Sequence, residues 1–241
     1  MRLVYIYHSG FALEADGFSI LIDYFKDSDP DPAKGYVRSE LLKRAGTLYI
    51  LASHFHPDHF NKEVLQWREQ RPDIIYIFSK DILRHRRAQK EDAVWLKKGE
   101  EYKDETLSVR AFGSTDVGVS FFASDRWKKR FFHAGDLNNW HWMDESTEAE
   151  WKGARRISCM SWMIFTPIRP KWMWRCFPLT PRLGKEYMRG CRTVCNKDKK
   201  LISLYPCISH RSMPRQMLSA TLPKRMECVL CSLTHRGQKI E

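Results

Sequence analysis

Cysteine is absent from the first 153 residues of this 241-residue chain, and no part of the chain has a long uninterrupted apolar run. The missing cysteines leave no disulfide framework in that part of the fold. A membrane-spanning helix needs about 20 mostly apolar residues, so we predict no membrane partner. The opening MRLVYIYHSG has no apolar stretch behind a basic cluster, so we expect no secretion signal and a cytoplasmic protein.

Acidic residues are scarce in the last third of the chain. Residues 153–241 contain 4 of the 29 acidic residues but 18 of the 41 lysines and arginines, together with all seven cysteines. The formal net charge of +12 suggests a nucleic-acid partner at face value. These basic residues are interrupted by prolines and form no RNA- or DNA-binding motif. We therefore predict no nucleic-acid partner and keep a basic nucleic-acid-binding module as an alternative function.

Residues 1–153 combine short apolar runs with amphipathic segments. Residues 3–7, 19–23 and 48–52 have the composition of strands, with a hairpin signal at Asp16-Gly17. The segment FNKEVLQWREQRP has apolar residues at helical spacing and stops at Pro72. Strands interspersed with helices, with polar residues at the strand ends, predict an α/β fold. We treat residues 1–241 as one domain whose well-patterned part is 1–153.

The stretch LASHFHPDHF packs three histidines and an aspartate into positions 54 to 59. His54 and His56 can direct both imidazoles at one ion from a loop that leaves a strand. Nitrogen and oxygen ligands of this kind suit Zn²⁺, with Fe²⁺ or Mn²⁺ as alternatives. Adjacent residues point in different directions, so Asp58 and His59 could serve two metals about 3.5–4 Å apart. A His-rich surface turn is the alternative, but the H-x-H-x-D-H spacing after a strand favours a metal site.

This loop resembles the signature loop of the metallo-β-lactamase-fold hydrolases. YHSGFALEADGFSILID resembles the opening of the ascorbate-6-phosphate-lactonase-like branch, and FFHAGDLNNWHW resembles the later GD loop of the family. The resemblance implies a four-layer αββα sandwich with two ions, bridged by Asp136. It implies that a metal-bound hydroxide, oriented by Asp58, attacks a carbonyl or phosphoryl centre. The metal-binding residues implied in this way are His54, His56, Asp58, His59 and Asp136.

The predicted function is a metal-dependent hydrolase for a small-molecule lactone, ester or phosphoester, using one or two ions of Zn²⁺. Asp23, at the end of ILID, is predicted to hold one of the imidazoles from behind, against the alternative of a simple strand-end aspartate. The GHT turn of the family reads GSTD here, with Ser114 at the histidine position, so one metal site would be weaker or absent. We predict a structural role for His133 and assign none to His8 or His141.

Residues 154–226 lack a defensible helical or strand period, apart from the family-like FPLTPRLGKEYMRG. A shifted reading frame explains this. Tryptophan and methionine have one codon each, so Trp162-Met163 and Met163-Ile164 both become aspartate when the frame shifts by two bases. With synonymous choices, residues 157–177 become an acidic helix and a strand, and residues 204–209 become IPMHF. IPMHF resembles the element that carries the final metal-binding histidine of the family. The chain as written lacks this element.

The shifted frame predicts an incomplete or distorted C-terminal half, and it leaves an inactive, damaged metallohydrolase as an alternative function. His210 lies near the shifted motif but outside it, so it does not take over the ligand role. Cys191 with Cys195, and Cys228 with Cys231, have spacings compatible with a zinc knuckle. Most of these cysteines are accidental in a shifted frame, so we predict neither structural zinc nor disulfides there. The sequence leaves the oligomeric state open.

Overall fold

Apolar residues occupy both faces of the first strands, so these strands form a sheet that is covered on both sides. The computed structural model describes residues 1–137, 147–149, 174–179, 203–208, 229–230 and 235–240. The first sheet has the order β14-β1-β2-β3-β4-β5-β6. Its strands are β1 (Arg2–Tyr7), β2 (Gly10–Ala15), β3 (Phe18–Ile22), β4 (Thr47–Ala52), β5 (Ile75–Ser79), β6 (Val94–Leu96) and β14 (Lys239–Ile240).

The second sheet also has seven strands, in the order β13-β12-β11-β10-β9-β8-β7. Strands β7 to β10 pair in antiparallel fashion, and β10 to β13 are parallel. Strands from the last third of the chain therefore continue this sheet. The distorted C-terminal half that the shifted frame predicts falls on residues outside the described ones. The strands are β7 (Glu101–Lys103), β8 (Leu107–Gly113), β9 (Val119–Asp125), β10 (Arg130–His133), β11 (Trp174–Leu179), β12 (Ser203–Ile208) and β13 (Val229–Leu230).

The described helices are short. They are α1 (Tyr36–Ser39), α2 (Glu63–Gln66) and α3 (Lys80–Arg84), accompanied by 3-10 turns at Leu41–Lys43, Trp67–Glu69 and Lys90–Asp92. The helix predicted before Pro72 is thus present as α2 continued by a 3-10 turn. Within the described part of the chain, no helix is both long enough and apolar enough to cross a membrane.

Two apolar clusters separate the layers. Phe11, Ile20 and Leu51 point to one side of the first sheet and pack with residues of the second sheet such as Val109 and Phe121. Their neighbours along the strands point to the other side, because side chains alternate between the faces of a strand. That second cluster joins the first sheet to the helices and contains Val4, Leu21, Ile50, Tyr36, Val37, Val64, Trp67 and Ile82.

Parallel pairing fixes where the polar loops meet. Strand β3 pairs in parallel with β4, so both end at the same edge of the first sheet. Asp23 follows β3 at that edge, and the loop of residues 53–59 follows β4. The carboxyl ends of the parallel strands thus bring these two loops together, as expected for sites in α/β folds.

The last described strand closes the free edge of the first. Strand β14 pairs with β1 in antiparallel fashion, with Leu3 opposite Ile240 and Val4 opposite Lys239. The Gly237 amide donates to the Tyr5 carbonyl at 2.8 Å, and Lys239 forms an ion pair with Glu40 at 2.7 Å. The final residues are therefore an integral part of the first sheet.

Candidate metal centre

Asp23 is the buried hub of the candidate site. Its side chain is fully buried and lies at the end of β3, with φ of 50°. Oδ1 accepts the Ser53 amide at 2.7 Å, and Oδ2 accepts the Ser53 hydroxyl at 2.7 Å. His59 donates from Nδ1 and His133 from Nε2 to the same Oδ2, each at 2.7 Å. One carboxylate therefore ties together four donors from two segments, the loop of residues 53–59 and strand β10.

The charge of Asp23 sets the protonation of its neighbours. Burial disfavours the carboxylate, but the facing imidazoles of His133 and His59 outweigh burial and hold the pKa of Asp23 well below its usual range. Burial likewise disfavours the imidazolium of His59, yet the Asp23 carboxylate raises the pKa of His59 to about 9. An ionised Asp23 and a His59 that keeps its Nδ1 proton follow from this geometry.

His54 is oriented by the same hub, one step removed. The Ser53 hydroxyl donates a hydrogen bond to Asp23 and accepts a hydrogen bond from His54 Nδ1 at 2.9 Å. His54 Nε2 is then the lone-pair nitrogen, 3.0 Å from His56 Nδ1 and 3.4 Å from Asp136 Oδ2. Burial, followed by the nearby His59, lowers the pKa of His54 to about 2, so its imidazole is neutral, as a metal ligand must be.

Two glycines allow the neighbouring loops to reach Ser53 and His54. Gly118 has φ of +72°, and a Cβ there would lie 2.2 Å from the Ser53 carbonyl oxygen and 2.5 Å from His54 Cβ. Gly135 has φ of +54°, and a Cβ there would lie 2.9 Å from Ser53 Cβ. Only a residue without a side chain fits such close approaches comfortably. These contacts bring the loops after β8 and β10 to the histidine loop.

Within the described residues, three groups of ligand atoms result, and in each group the atoms lie within 4.8 Å of one another. The group of His54, His59 and Asp136 is buried except for the carboxylate of Asp136, and the other two groups are more exposed. Asp136 belongs to two groups and His59 to two, so the groups overlap as they would around neighbouring ions. The groups are His54 with His59 and Asp136, His56 with Asp116 and Asp136, and His8 with Asp58 and His59.

All five residues predicted as ligands occur in these groups, although their binding of metal stays a prediction. Asp58 is more exposed than the buried set, and its Oδ2 lies 3.9 Å from His59 Nε2 and 3.7 Å from His8 Nε2. Asp23 lies behind His59, where a residue that holds an imidazole would have to be. His133 also contacts Asp23, and its buried Nδ1 has no hydrogen-bond partner among the described residues.

Sequence reasoning missed His8 and Asp116. Asp116, two positions after Ser114, belongs to one of the ligand groups. A carboxylate inside the GSTD turn was the available signal for Asp116. His8 was expected near the site from the resemblance of the opening YHSG element, but no role was assigned to it. His141, His210 and the cysteine pairs predicted to lack zinc lie outside the described residues.

The donor set fits a divalent metal. Neutral imidazole nitrogens and carboxylate oxygens converge, and one imidazole has a carboxylate behind it, as metal-ligating histidines usually do. The residues around the site therefore have the chemistry and spacing that could hold Zn²⁺, Fe²⁺ or Mn²⁺.

Comparison with known proteins identifies the class. Residues 2–150 match the beta-lactamase superfamily domain, more than half of the chain. The chain belongs to this superfamily, whose members bind divalent metals. A comparison with curated proteins finds no match.

Solved structures share the fold across almost the whole chain. Igni18, a metallo hydrolase from the hyperthermophilic archaeon Ignicoccus hospitalis, is 16% identical with a TM-score of 0.65, covering 99% of this chain and 97% of its own. A possible metal-dependent hydrolase from Veillonella parvula is 10% identical with a TM-score of 0.62, covering 100% and 98%. The metallo-beta-lactamase fold protein YhfI from Bacillus subtilis is 11% identical with a TM-score of 0.60, covering 99% and 98%. Identities this low show the fold alone. The structural matches confirm the metallo-β-lactamase-type α/β sandwich.

Proposed function

We propose that this chain has the site of a metal-dependent hydrolase for a small-molecule lactone, ester or phosphoester. The observation that carries the proposal is the convergence of His54, His59 and Asp136 in front of the buried Asp23. Zn²⁺ is the proposed metal, with Fe²⁺ or Mn²⁺ as alternatives, in one or two ions. The proposed ligands are His54, His56, Asp58, His59 and Asp136.

A bound ion would acidify a water molecule and polarise the acyl or phosphoryl oxygen of the substrate. The residues of the chain prepare that chemistry. Asp23 accepts a hydrogen bond from His59 Nδ1, and the Ser53 hydroxyl accepts one from His54 Nδ1. Both Nε2 atoms therefore face the site. Asp58 is proposed as the catalytic residue, because its half-exposed carboxylate lies at the open side of the cluster, where it can orient a water molecule and accept its proton.

The proposed branch is the one that resembles ascorbate-6-phosphate lactonases. Its opening element places His8 and Ser9 at the site: Ser9 Oγ lies 3.4 Å from His59 Nε2 and 3.1 Å from His8 Nδ1. A hydroxyl and an imidazole at this position can contact a polar substrate. A cytoplasmic location, a small-molecule partner and the absence of a nucleic-acid partner remain predictions that accompany the proposal.

The shifted reading frame is part of the proposal, and strand register supports it. His133 of β10 lies opposite Cys176 of β11, which lies opposite Tyr205 of β12. The histidine of the shifted IPMHF spans the codons of Cys207 and Ile208. Carried along the same register, those positions come level with Gly135 and Asp136. The encoded histidine would therefore lie at the sheet edge that holds the site.

Sequencing the DNA that encodes residues 153–227 is the first test. The proposal expects IPMHF in another frame, next to an inserted or missing base. Codons that cannot give this peptide would remove the frame-shift proposal and make the basic, cysteine-rich tail genuine.

The functional test compares the chain as written with a frame-restored version. Metal content is measured by mass spectrometry, and turnover is measured with lactones, aryl esters and aryl phosphoesters. We expect the restored protein to bind about two ions and to hydrolyse one of these classes, while the written chain does so weakly, since it lacks the last histidine. A restored protein that binds metal but hydrolyses none of them would contradict the hydrolase. Equal metal binding and turnover in both versions would contradict the alternative of a damaged relative.

Metal affinity should rise with pH. The pKa of His59 is about 9 in the metal-free protein, so the ion must displace a proton from Nε2 at neutral pH. We expect the affinity to increase about tenfold for each pH unit from 6.5 to 8.5, because one proton is released per bound ion. Calorimetric titration of Zn²⁺ in buffers of different ionisation enthalpy measures both the affinity and the released protons. An affinity that is constant over this range would contradict the displacement of a proton from His59 by the ion.

A further inference from the structure

We infer that Asp116 is a metal ligand and takes the position that an imidazole occupies in the GHT turn of the family. With His56 and Asp136 it forms a second cation site, one that favours Zn²⁺ over Mn²⁺ less strongly than the first site does. This inference rests on the proposed function, because it concerns a second ion beside the one held by His54, His59 and Asp136.

The backbone brings Asp116 to the site. Strand β8 ends at Gly113 and β9 begins at Val119, so Asp116 lies in the connecting turn. The Val119 amide donates to the Ser53 carbonyl at 3.0 Å, and Gly118 lies against Ser53 and His54. These contacts fasten the turn to the histidine loop. One carboxylate oxygen of Asp116 consequently lies within 4.8 Å of a ligand atom of His56 and of one of Asp136.

The turn itself explains why Ser114 does not do this. The Ser114 hydroxyl accepts the Asp116 amide at 3.2 Å, so it is engaged within the turn. Thr115 donates from its hydroxyl to the Asp136 carbonyl at 3.4 Å, which links the turn to the loop after β10. With Ser114 turned inward, the next polar side chain available to the site is that of Asp116.

Charge favours a cation between these groups. Asp116 and Asp136 bring two carboxylates into one site, and like charges at such distances repel. A divalent ion held by both carboxylates would replace this repulsion with attraction.

The ligand types set the preference for the metal. The group of His54, His59 and Asp136 offers two nitrogens and one oxygen, whereas the group of His56, Asp116 and Asp136 offers one nitrogen and two oxygens. Nitrogen-rich sites suit Zn²⁺, and carboxylate-rich sites suit Mn²⁺. The shared Asp136 would lie between ions about 3.5–4 Å apart. The two positions should thus differ both in affinity and in selectivity.

Substitutions in the metal-free, full-length chain test the inference. Asp116→Asn removes the charge and keeps the size, Asp116→His supplies the imidazole of the family, and Glu105→Gln is the control. Glu105 precedes β8 and Asp116 follows it, so a strand of seven residues separates them. Mn²⁺ and Zn²⁺ are titrated separately by calorimetry, bound Mn²⁺ is also observed by electron paramagnetic resonance, and thermal unfolding checks the fold.

For the chain as written, we expect one tight and one weaker ion, and the weaker position should show the smaller preference for Zn²⁺ over Mn²⁺. Asp116→Asn should weaken Mn²⁺ binding at the second position by at least about tenfold and leave the first ion in place. Asp116→His should turn the preference of that position towards Zn²⁺. Unchanged Mn²⁺ binding in a folded Asp116→Asn variant would overturn the inference alone. A parent chain that binds no divalent ion would overturn the proposed function as well.

Discussion

Replacement of Asp23 by alanine should lower the free energy of unfolding by about 3–5 kcal/mol, the range for removing one partner of a buried ion pair. The change leaves the Ser53 amide and hydroxyl, His59 Nδ1 and His133 Nε2 without their acceptor in a fully buried place. Urea unfolding followed by circular dichroism measures this loss. Asp16→Asn is the matched control, because Asp16 is exposed and Asn-Gly suits the same tight turn.

The same substitution should also flatten the dependence of stability on pH. The lowered pKa of Asp23 contributes stability that is present above about pH 4 and is lost as pH falls through the folded value. The raised pKa of His59 contributes stability that is present below pH 6.5 and is lost as pH rises through about 9. Both contributions depend on the Asp23 carboxylate, so Asp23→Ala removes both. A loss below about 1 kcal/mol with an unchanged pH profile would show that Asp23 is not the hub.

Replacement of Asp136 by asparagine should affect metal binding strongly and the stability of the metal-free protein little, the reverse of the main effect of Asp23→Ala. Asp136 belongs to two of the ligand groups, so its loss should weaken metal binding at least about a hundredfold, beyond the usual cost of losing a partner outside the ligand set. Hydrolysis by the frame-restored protein should fall with it. Competition with a chromogenic chelator measures the affinity for Zn²⁺ and Mn²⁺.

Stability of the metal-free protein should not fall in Asp136→Asn. Burial and the acidic neighbours raise the pKa of Asp136, so its ionised form disfavours the folded state at neutral pH. An uncharged asparagine removes that repulsion. Urea unfolding should therefore give equal or higher stability than the parent, in contrast to Asp23→Ala. Retention of tight metal binding, or a loss of stability as large as that of Asp23→Ala, would assign Asp136 to the scaffold and not to the metal.

The strands and the histidine loop could be predicted because their signals are local. Apolar runs predicted β1, β3 and β4 within about one residue, and the spacing of His54, His56, Asp58 and His59 identified the candidate site. The helices were predicted less well. Residues 60–71 have helical periodicity, yet the structure has a four-residue helix and a 3-10 turn, because packing on the sheet decides such short segments more than propensity does.

The residues that were missed are those that the sheets bring in from a distance. His8 lies 46 residues before His54, and Asp116 lies more than 46 residues after His59. Nothing local marks the turn between β1 and β2 or the one between β8 and β9 as near neighbours of that loop. Asp23 contacts His59, as its predicted role requires, and that role stays a prediction. Its second partner, His133, lies 110 positions away and depends on the packing of one sheet against the other.

The pairing of β14 with β1 has a consequence for biosynthesis. The outer edge of β1 meets its partner only when β14 has been made, roughly 10–50 s later at ordinary elongation rates. During that interval the nascent chain exposes an unpaired edge, the kind of surface through which chains associate. Tyr5 finds its partners Gly237 and Gln238 only if those residues are translated in the frame written. A ribosome still out of frame at residues 237–240 would make a chain in which β1 lacks this neighbour.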